Sequence, residues 1–403
     1  MATIALTDTA ARPALRTAGL IQALLITCLT SLPAIAIVSL VPAIPLLLRQ
    51  FSSVPNASVL VPLIVTAPGI CITLLSPLAG LLADKFGRRN MVLGALVLYA
   101  LAGSGPLFLD SIYAIIGSRL VLGVAESVLV TVGYALISDY YPPDERRKWL
   151  ALQAALGSVI GALLTFSGGL LADISWRGPF TIYLAAIPIL VASLVFLWEP
   201  TGHAEEEPVH GSDGRFPWAS MAAVALLTLF GATLFYGYII QIGITLDRLG
   251  LTDSGGIGMI SGIAALAVIL GAALSRWVVK LDAGVRFFIV FGVIGLGLIG
   301  IGVARSWQVA GAAAFLQQFG AGMLIPTLVA WAHSFVSFEH RNRGTGVWAA
   351  SFFLGQFTCP LFIAGIRWFV PDPQLAIAAL GLCSVAAALV AVALGLRGKK
   401  AYA

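Results

Sequence analysis

Polar positions along this chain fall in short clusters. Between them stand apolar runs long enough to cross a bilayer, which takes about 20 residues of helix. The alternation predicts twelve helical spans at 18–48, 57–82, 90–109, 112–138, 147–172, 178–198, 217–246, 255–278, 286–304, 308–335, 344–369 and 374–396. The runs are continuous, whereas a spanning β-barrel alternates in segments of ~10 residues. One long polar stretch, with Glu205, Glu206, Glu207, His210, Asp213 and Arg215, separates the sixth span from the seventh. The expected organisation is a six-helix bundle over 1–198, a cytoplasmic linker over 199–216 and a second six-helix bundle over 217–403. A weak internal echo supports it: Glu145-Arg146-Arg147 opens the fifth span, and Glu339-His340-Arg341 precedes the eleventh. Six spans plus six with internal symmetry is a transporter architecture, with the substrate handled near mid-membrane between the halves.

Composition agrees. Apolar residues make up 59% and charged residues 10% of the 403, against roughly 45–50% and about 25% in soluble domains, and the mean hydropathy is +0.99. The net charge of +5 is explained by orientation, not by nucleic acid. With the N-terminus in the cytoplasm, 17 of the 23 Lys and Arg residues fall in cytoplasmic segments. Arg49, Arg177, Arg248, Arg305 and Arg367 fall outside, and Arg119 lies within a span. That bias predicts a multi-pass protein of the cytoplasmic (inner) membrane with both termini cytoplasmic. The apolar run from about Leu20 to Leu48 is too long for a cleaved signal core. Cys28, Cys71, Cys359 and Cys383 are scattered through spans, so neither a metal site nor a disulfide framework is expected. There is no HExxH and no phosphate-binding Gly-x4-Gly-Lys-Ser/Thr. An enzyme is not expected, nor any cofactor; a proton gradient is the expected energy source.

The densest charge cluster is Gly80-Leu81-Leu82-Ala83-Asp84-Lys85-Phe86-Gly87-Arg88-Arg89, between the second and third spans. It resembles the signature loop of the major facilitator superfamily. Arg119-x-x-x-Gly123, Asp139 with the following Tyr141-Pro142-Pro143-Asp144-Glu145-Arg146, and Trp176-Arg177-x-x-Phe180 are similar to further motifs of that superfamily. The resemblance implies the major facilitator fold: an all-α membrane protein of twelve helices in two pseudo-symmetric bundles. The short form with a short central loop resembles the bacterial twelve-span drug:proton antiporters. Those usually carry a Gly-Pro pair in a glycine-rich fifth helix. Here Gly157, Gly161, Gly168 and Gly169 are present, but Ala162 or Thr165 stands where the proline would fall. Small residues at 157 and 161 suit close helix contact.

Four groups of residues carry candidate chemistry. Asp84 can accept from exposed amides at a neighbouring helix start, and Arg88 can hold a carboxylate through two bonds. The resemblance implies that Gly80, Asp84, Gly87, Arg88 and Asp139 form a latch on the outward-facing state; the plainer reading is that the charges only orient the loop. Arg119 and Glu126 stand about two turns apart on one face of the fourth span. Ionisable groups inside a span usually face a bundle interior or a watery cavity. Glu126 is therefore the leading proton carrier, unless the two form a static structural pair. His333 is a second titratable group. Candidate cavity residues are Gln22, Thr27, Ser31, Tyr236, Tyr238, Gln241, Gln317, Gln318, Trp348, Phe352 and Gln356, a mixture of aromatics and amides suited to an amphipathic organic substrate. Pro33, Pro42, Pro45 and Pro326 are expected to kink helices.

Together these readings predict a secondary transporter, monomeric in the lipid bilayer. It would export small amphipathic organic compounds in exchange for protons by alternating access. A proton-coupled uptake symporter for an organic acid or sugar, with Arg119 holding a carboxylate, remains the alternative.

Overall fold

The computed structural model describes residues 18–200, 216–337 and 340–393, and among them all regular structure is helical. Twelve helices are long and apolar enough to cross a membrane: Leu20–Gln50, Ala57–Phe86, Arg88–Leu107, Ile112–Tyr140, Leu156–Ile174, Gly178–Phe196, Trp218–Arg248, Ser254–Val278, Ala283–Val303, Trp307–His333, Arg343–Phe369 and Pro373–Ala393. They match the expected spans to within a few residues. The fifth helix itself begins at Pro143 and the eleventh at Arg341.

Proline shapes two spans in particular. The first is interrupted after Leu20–Val38 by a tight turn at Val41–Ala43 and resumes over Ile44–Gln50. Pro42 and Pro45 open those two segments, since proline has no amide to donate to a preceding turn. The second span breaks at Ala67, just before Pro68, a break that the apolar pattern does not reveal. Pro33 and Pro326 sit inside uninterrupted helices.

Within each half the helices pack by close backbone approach. Lipid tails are as apolar as leucine, so helices in a membrane gain little from burying apolar surface against each other, and small residues at the contact decide the packing. A Cβ built on Gly123 of the fourth span would stand 2.7 Å from the Pro68 carbonyl oxygen of the second. One on Gly271 of the eighth would stand 2.0 Å from the Phe319 carbonyl oxygen of the tenth. Gly295 and Gly381 bring the ninth and twelfth spans together in the same way. The outward faces carry exposed leucines such as Leu101, Leu163, Leu270 and Leu296, the surface that lipid covers.

The halves meet along two seams. The second span packs on the eleventh near mid-membrane, where Gly69 faces the Phe353 carbonyl and Thr73 Oγ1 donates to the Ala350 carbonyl at 3.3 Å. The fifth packs on the eighth toward the end opposite the Arg88 loop. There a Cβ on Gly169 would lie 2.4 Å from the Ser254 carbonyl oxygen, and one on Gly258 would lie 2.9 Å from that of Thr165. The close contacts expected at Gly157 and Gly161 occur instead at Gly168, which faces the Ser39 carbonyl, and at Gly169. Gly161 has open space around its Cβ position.

Asp372 shows how the interhelical turns are secured. Its Oδ1 accepts from the amides of Gln374 and Leu375 at 2.8 and 3.0 Å, and Arg248 Nη1 donates to its Oδ2 at 3.0 Å. The Leu375 amide bond foremost, with Arg248, holds this carboxyl below the usual range. Its stabilisation is therefore present above the ordinary carboxylate pKa and lost as pH falls through the lowered one.

Gly271→Leu is expected to lower stability by about 1–3 kcal/mol or more through overpacking. Gly292→Ala, with nothing within 4 Å of its Cβ position, is expected to be neutral or to stabilise by up to ~1 kcal/mol. Thermal unfolding of the detergent-solubilised protein, followed by the monodisperse fraction remaining, checks both.

Candidate functional site

A cavity of about 440 Å³ lies between the two halves, within the range of roughly 300–1,000 Å³ that holds small organic ligands. Its lining follows helical periodicity. Thr30, Ser31, Ala34 and Val38 come from the first span, Gln153, Gly157, Gly161 and Thr165 from the fifth, and Phe235, Tyr238 and Ile239 from the seventh. Ser261, Gln318 and Tyr134 add polar groups from the eighth, tenth and fourth. Toward Val41 and Thr165 the cavity runs into the seam between the fifth and eighth spans, where a Cβ on Gly262 would already lie 3.0 Å from the Ala162 carbonyl oxygen.

Among the described residues the lining includes no Asp, Glu, Lys, Arg or His. Several hydroxyls donate back into their own helices: Thr30 to Ile26, Ser31 to Thr27 and Thr165 to Gly161. Gln153 Nε2 donates to Thr30 Oγ1 at 2.6 Å. The Oε1 atoms of Gln153 and Gln318 and the Ser261 hydroxyl are buried with no protein partner. Such groups are costly to leave dry, so they are the atoms a bound molecule or water would satisfy.

Of the candidate cavity residues, Ser31, Tyr238 and Gln318 stand in this lining. The other candidates do not. Gln22 closes the helix start at Gly19 and reaches the Phe196 carbonyl. Thr27 bonds its own helix at Ala23. Tyr236 is one residue off the cavity face of the seventh span and packs 5.5 Å from the Phe352 ring. Phe352, Trp348 and Gln356 form an i, i+4, i+8 stripe on the eleventh span; Trp348 stacks on Phe352, and Gln356 is buried beneath Gly69 of the second span. Gln317 is fully buried, its backbone pressed against Gly297 of the ninth span. Gln241 lines a separate cavity at the far end of the molecule. Single-residue shifts along a helix turn a side chain by about 100°, and composition cannot resolve them. Thr30, Gln153 and Ser261 were missed for the same reason.

Arg119 is fully buried and points away from the cavity. Its Nη2 donates to the carbonyls of Ala102 and Gly103 at 2.6 and 2.7 Å, at the C-terminal end of the third span. Its guanidinium also sits 4.9 Å from the Tyr183 ring centre and 5.2 Å from that of Phe180. The cation donates to helix-end carbonyls and faces aromatic rings; with Glu126 it forms no ion pair among the described residues, but the two charges act on each other electrostatically. Glu126 is fully buried, and neither carboxyl oxygen has a hydrogen-bond partner. Its carboxyl is within electrostatic reach of Cys71 and, across the halves, of Tyr236. His333 Nε2 stands 2.8 Å from Thr345 Oγ1, outside the cavity lining.

At the Arg88 loop, Arg88 pairs with Asp139 and stands 3.7 Å from Asp84, whose side chain is 61% exposed. A Cβ on Gly80 would lie 3.8 Å from Thr131 Cγ2. The carboxylate that caps the third span is not Asp84 but Glu199, whose oxygens accept from the amides of Arg88 and Arg89 at 2.7 and 2.9 Å. Arg89 holds that segment in place by donating to the carbonyls of Leu197 and Leu194. Gly87 adopts φ +88°, and a Cβ there would lie 2.9 Å from Glu199 Oε2, so only glycine fits.

The opposite end carries contacts that sequence reasoning missed. Asp173, ending the fifth span, accepts from the amides of Ser254 and Gly255 at 2.7 and 2.9 Å, the start of the eighth span in the other half. Arg49 of the first span pairs with Asp247 of the seventh. An acid in the last turn of a helix opposes that helix's own dipole, which was the available signal at Asp173. The halves are thus bonded at this end, while the cavity extends on the other side of the seam.

Residues 23–307 match the family described as Major Facilitator Superfamily. The chain belongs to that superfamily. It is 27% identical over 376 residues to the class C tetracycline resistance protein of Escherichia coli, covering 83% of this chain and 87% of that protein. It is 24% identical over 299 residues to the 3-(3-hydroxy-phenyl)propionate transporter of E. coli strain K12, covering 70% and 71%. Its fold is similar to that of a bacterial homologue of the human lysosomal transporter Spinster, captured inward-facing and occupied. The TM-score is 0.71 and the identity 17%, over 93% of this chain and 95% of that one. This member of the major facilitator superfamily is a multi-pass membrane transporter, not an enzyme.

In this transporter, Gly87→Ala is expected to cost about 1–3 kcal/mol, the range for a residue forced into a glycine-only conformation. Adding Glu199→Ala relieves the contact but removes the cap, so recovery is partial. Denaturant unfolding of both variants in detergent reads the difference.

Proposed function

We propose that this transporter exports small, uncharged, amphipathic organic molecules across the cytoplasmic membrane in exchange for protons. The observation that carries the substrate class is the cavity itself. Its walls are largely apolar, its polar groups are amides and hydroxyls, and its lining has no charged residue among the described residues. A charged solute would enter without a counter-charge, at a large desolvation cost. The similarity to a tetracycline resistance protein supports export.

The charge bias puts the Arg88 loop in the cytoplasm. On that orientation the structure is inward-facing, closed outside by Asp173 on the eighth-span amides and by Arg49 with Asp247. In the opposite state these contacts part. Asp84 then engages the second half from the cytoplasmic side and latches the outward-facing form, with Arg88 and Asp139 holding it in place. Glu126 carries the proton. Its carboxyl is buried with no hydrogen-bond partner, a setting in which an ionised form is costly. Its charge also reaches Tyr236 of the second half. Uptake of an organic acid held by Arg119 is less well supported, because Arg119 is committed to the Ala102 and Gly103 carbonyls.

A compound panel tested in oriented vesicles with an imposed proton gradient examines this reading. Glu126→Gln is expected to cut proton-driven export by at least about tenfold while leaving substrate binding intact. Asp84→Asn is expected to slow turnover with binding unchanged. Undiminished proton coupling in Glu126→Gln removes that residue from the mechanism, and accumulation in the uptake direction reverses the assignment of direction. Gln318→Ala is expected to raise KM about 5–10-fold, the loss of one hydrogen bond of about 1 kcal/mol. A preference for charged over neutral panel members would overturn the substrate class.

A further inference from the structure

A further half-enclosed cavity lies at the end opposite the Arg88 loop and has a volume of about 290 Å³. It is built by both halves. Asn56 and Ser58, at the start of the second span, form one rim; Gln241 of the seventh span and Ile363, Arg367 and Trp368 of the eleventh form the rest.

Two observations point to a ligand. Gln241 is only 5% exposed, and its Oε1 has no hydrogen-bond partner. Arg367 has a buried Nε with no partner, and it forms no ion pair among the described residues. Its neighbours at the same end differ. Arg49 pairs with Asp247, Arg177 with Asp110 and Arg248 with Asp372. The aspartates nearby are already engaged, Asp372 also as the cap of the twelfth span. Arg367 is therefore a cation held at a cavity mouth without a protein counter-charge. A guanidinium binds carboxylates through a planar pair of bonds. The amide of Gln241 and the hydroxyl of Ser58 add neutral hydrogen-bonding groups, and the Ile363 and Trp368 side chains supply an apolar wall.

We propose that this cavity, formed by Asn56, Ser58, Gln241 and Arg367, binds a small organic carboxylate with an apolar body and thereby holds the transporter in the state seen here. The site straddles the halves, so it is complete only while this end is closed. A ligand that binds one state alone draws the population to that state. On the cytoplasmic placement of the Arg88 loop, the site opens to the outside, so an external carboxylate restrains transport without occupying the central cavity. This site shares no lining residue with the central cavity.

Benzoate is the probe, and the full chain in detergent is the material. Calorimetric titration is expected to show saturable binding of one benzoate per chain and a raised unfolding temperature. Arg367→Gln is expected to weaken binding by at least about tenfold, as for loss of a charge partner, and to abolish the thermal shift. Gln241→Leu weakens it less. Arg248→Gln, at the same end but outside the cavity, leaves it unchanged. Benzamide, isosteric and neutral, does not compete. The proposal is overturned if benzoate shows no saturable binding, if binding survives both Arg367→Gln and Gln241→Leu, or if benzamide competes equally. The same titration in phosphatidylcholine nanodiscs with and without phosphatidylglycerol separates the two sources of anion. Equal affinity supports a free carboxylate, and displacement by the anionic lipid reassigns the site to a headgroup phosphate.

Discussion

Gly169 and Gly258 face each other's backbones across the halves, and the approach is so close that a Cβ on either would meet a carbonyl oxygen within 3 Å. The architecture turns on that contact. Between membrane helices the gain comes from fit, not from expelling water. The fifth and eighth spans can therefore adhere only where both are small, and they part where they are not matched. Gly168 and Gly169 fill the tight part of the fifth span. Gly161, two turns nearer the Arg88 loop, touches nothing within 4 Å and lines the cavity. One helix is thus a seam at one end and a cavity wall at the other, and the boundary sets how deep the cavity reaches.

The charges follow a single rule, which is that helix ends answer them. The third span is capped at its start by Glu199 and at its end by Arg119, each sign matched to the helix dipole. The eighth span begins on Asp173 of the other half. Because that bond joins the halves, it can exist only while this end is closed. The Arg88 and Asp139 pair, in contrast, lies within one half, with Asp84, 3.7 Å from Arg88, as its exposed third member. Gating charges and scaffolding charges can be told apart by asking whether a bond crosses between the halves.

The cavity and the buried acid are spatially separate. Glu126 is not among the lining residues, yet it adjoins Cys71 of the second span and acts across the interface on Tyr236. Tyr236 in turn packs on Phe352, and Phe235 beside it reaches the cavity. On the proposed assignment of the proton to Glu126, its effect would reach the cargo through the packing of the seventh span against the eleventh, since Glu126 is not among the described lining residues. Such coupling needs no shared atom between the two sites, only a pair of arrangements of the same packed helices.

Much was legible from the amino-acid order alone. The twelve spans, the membrane environment and the Gly80–Arg89 loop depend on local composition and length, which each segment carries with it. That Gly87 must be glycine follows only from its φ of +88° and from Glu199, which is distant in sequence. What lines the cavity was not legible. Gln317 and Gln318, or Tyr236 and Tyr238, are chemically alike, and only the rotation of each helix against its neighbours decides which faces inward. Arg119 shares one helix face with Glu126, and the two act on each other electrostatically, but where Arg119 donates its hydrogen bonds was out of view. The carbonyls that claim it belong to a different span. The sequence by itself determined which segments enter the membrane, because insertion is a property of each segment's own apolar length. The tertiary structure alone decided the roles of Arg119, Asp173 and Gln318, because each depends on atoms that another helix brings within hydrogen-bond distance.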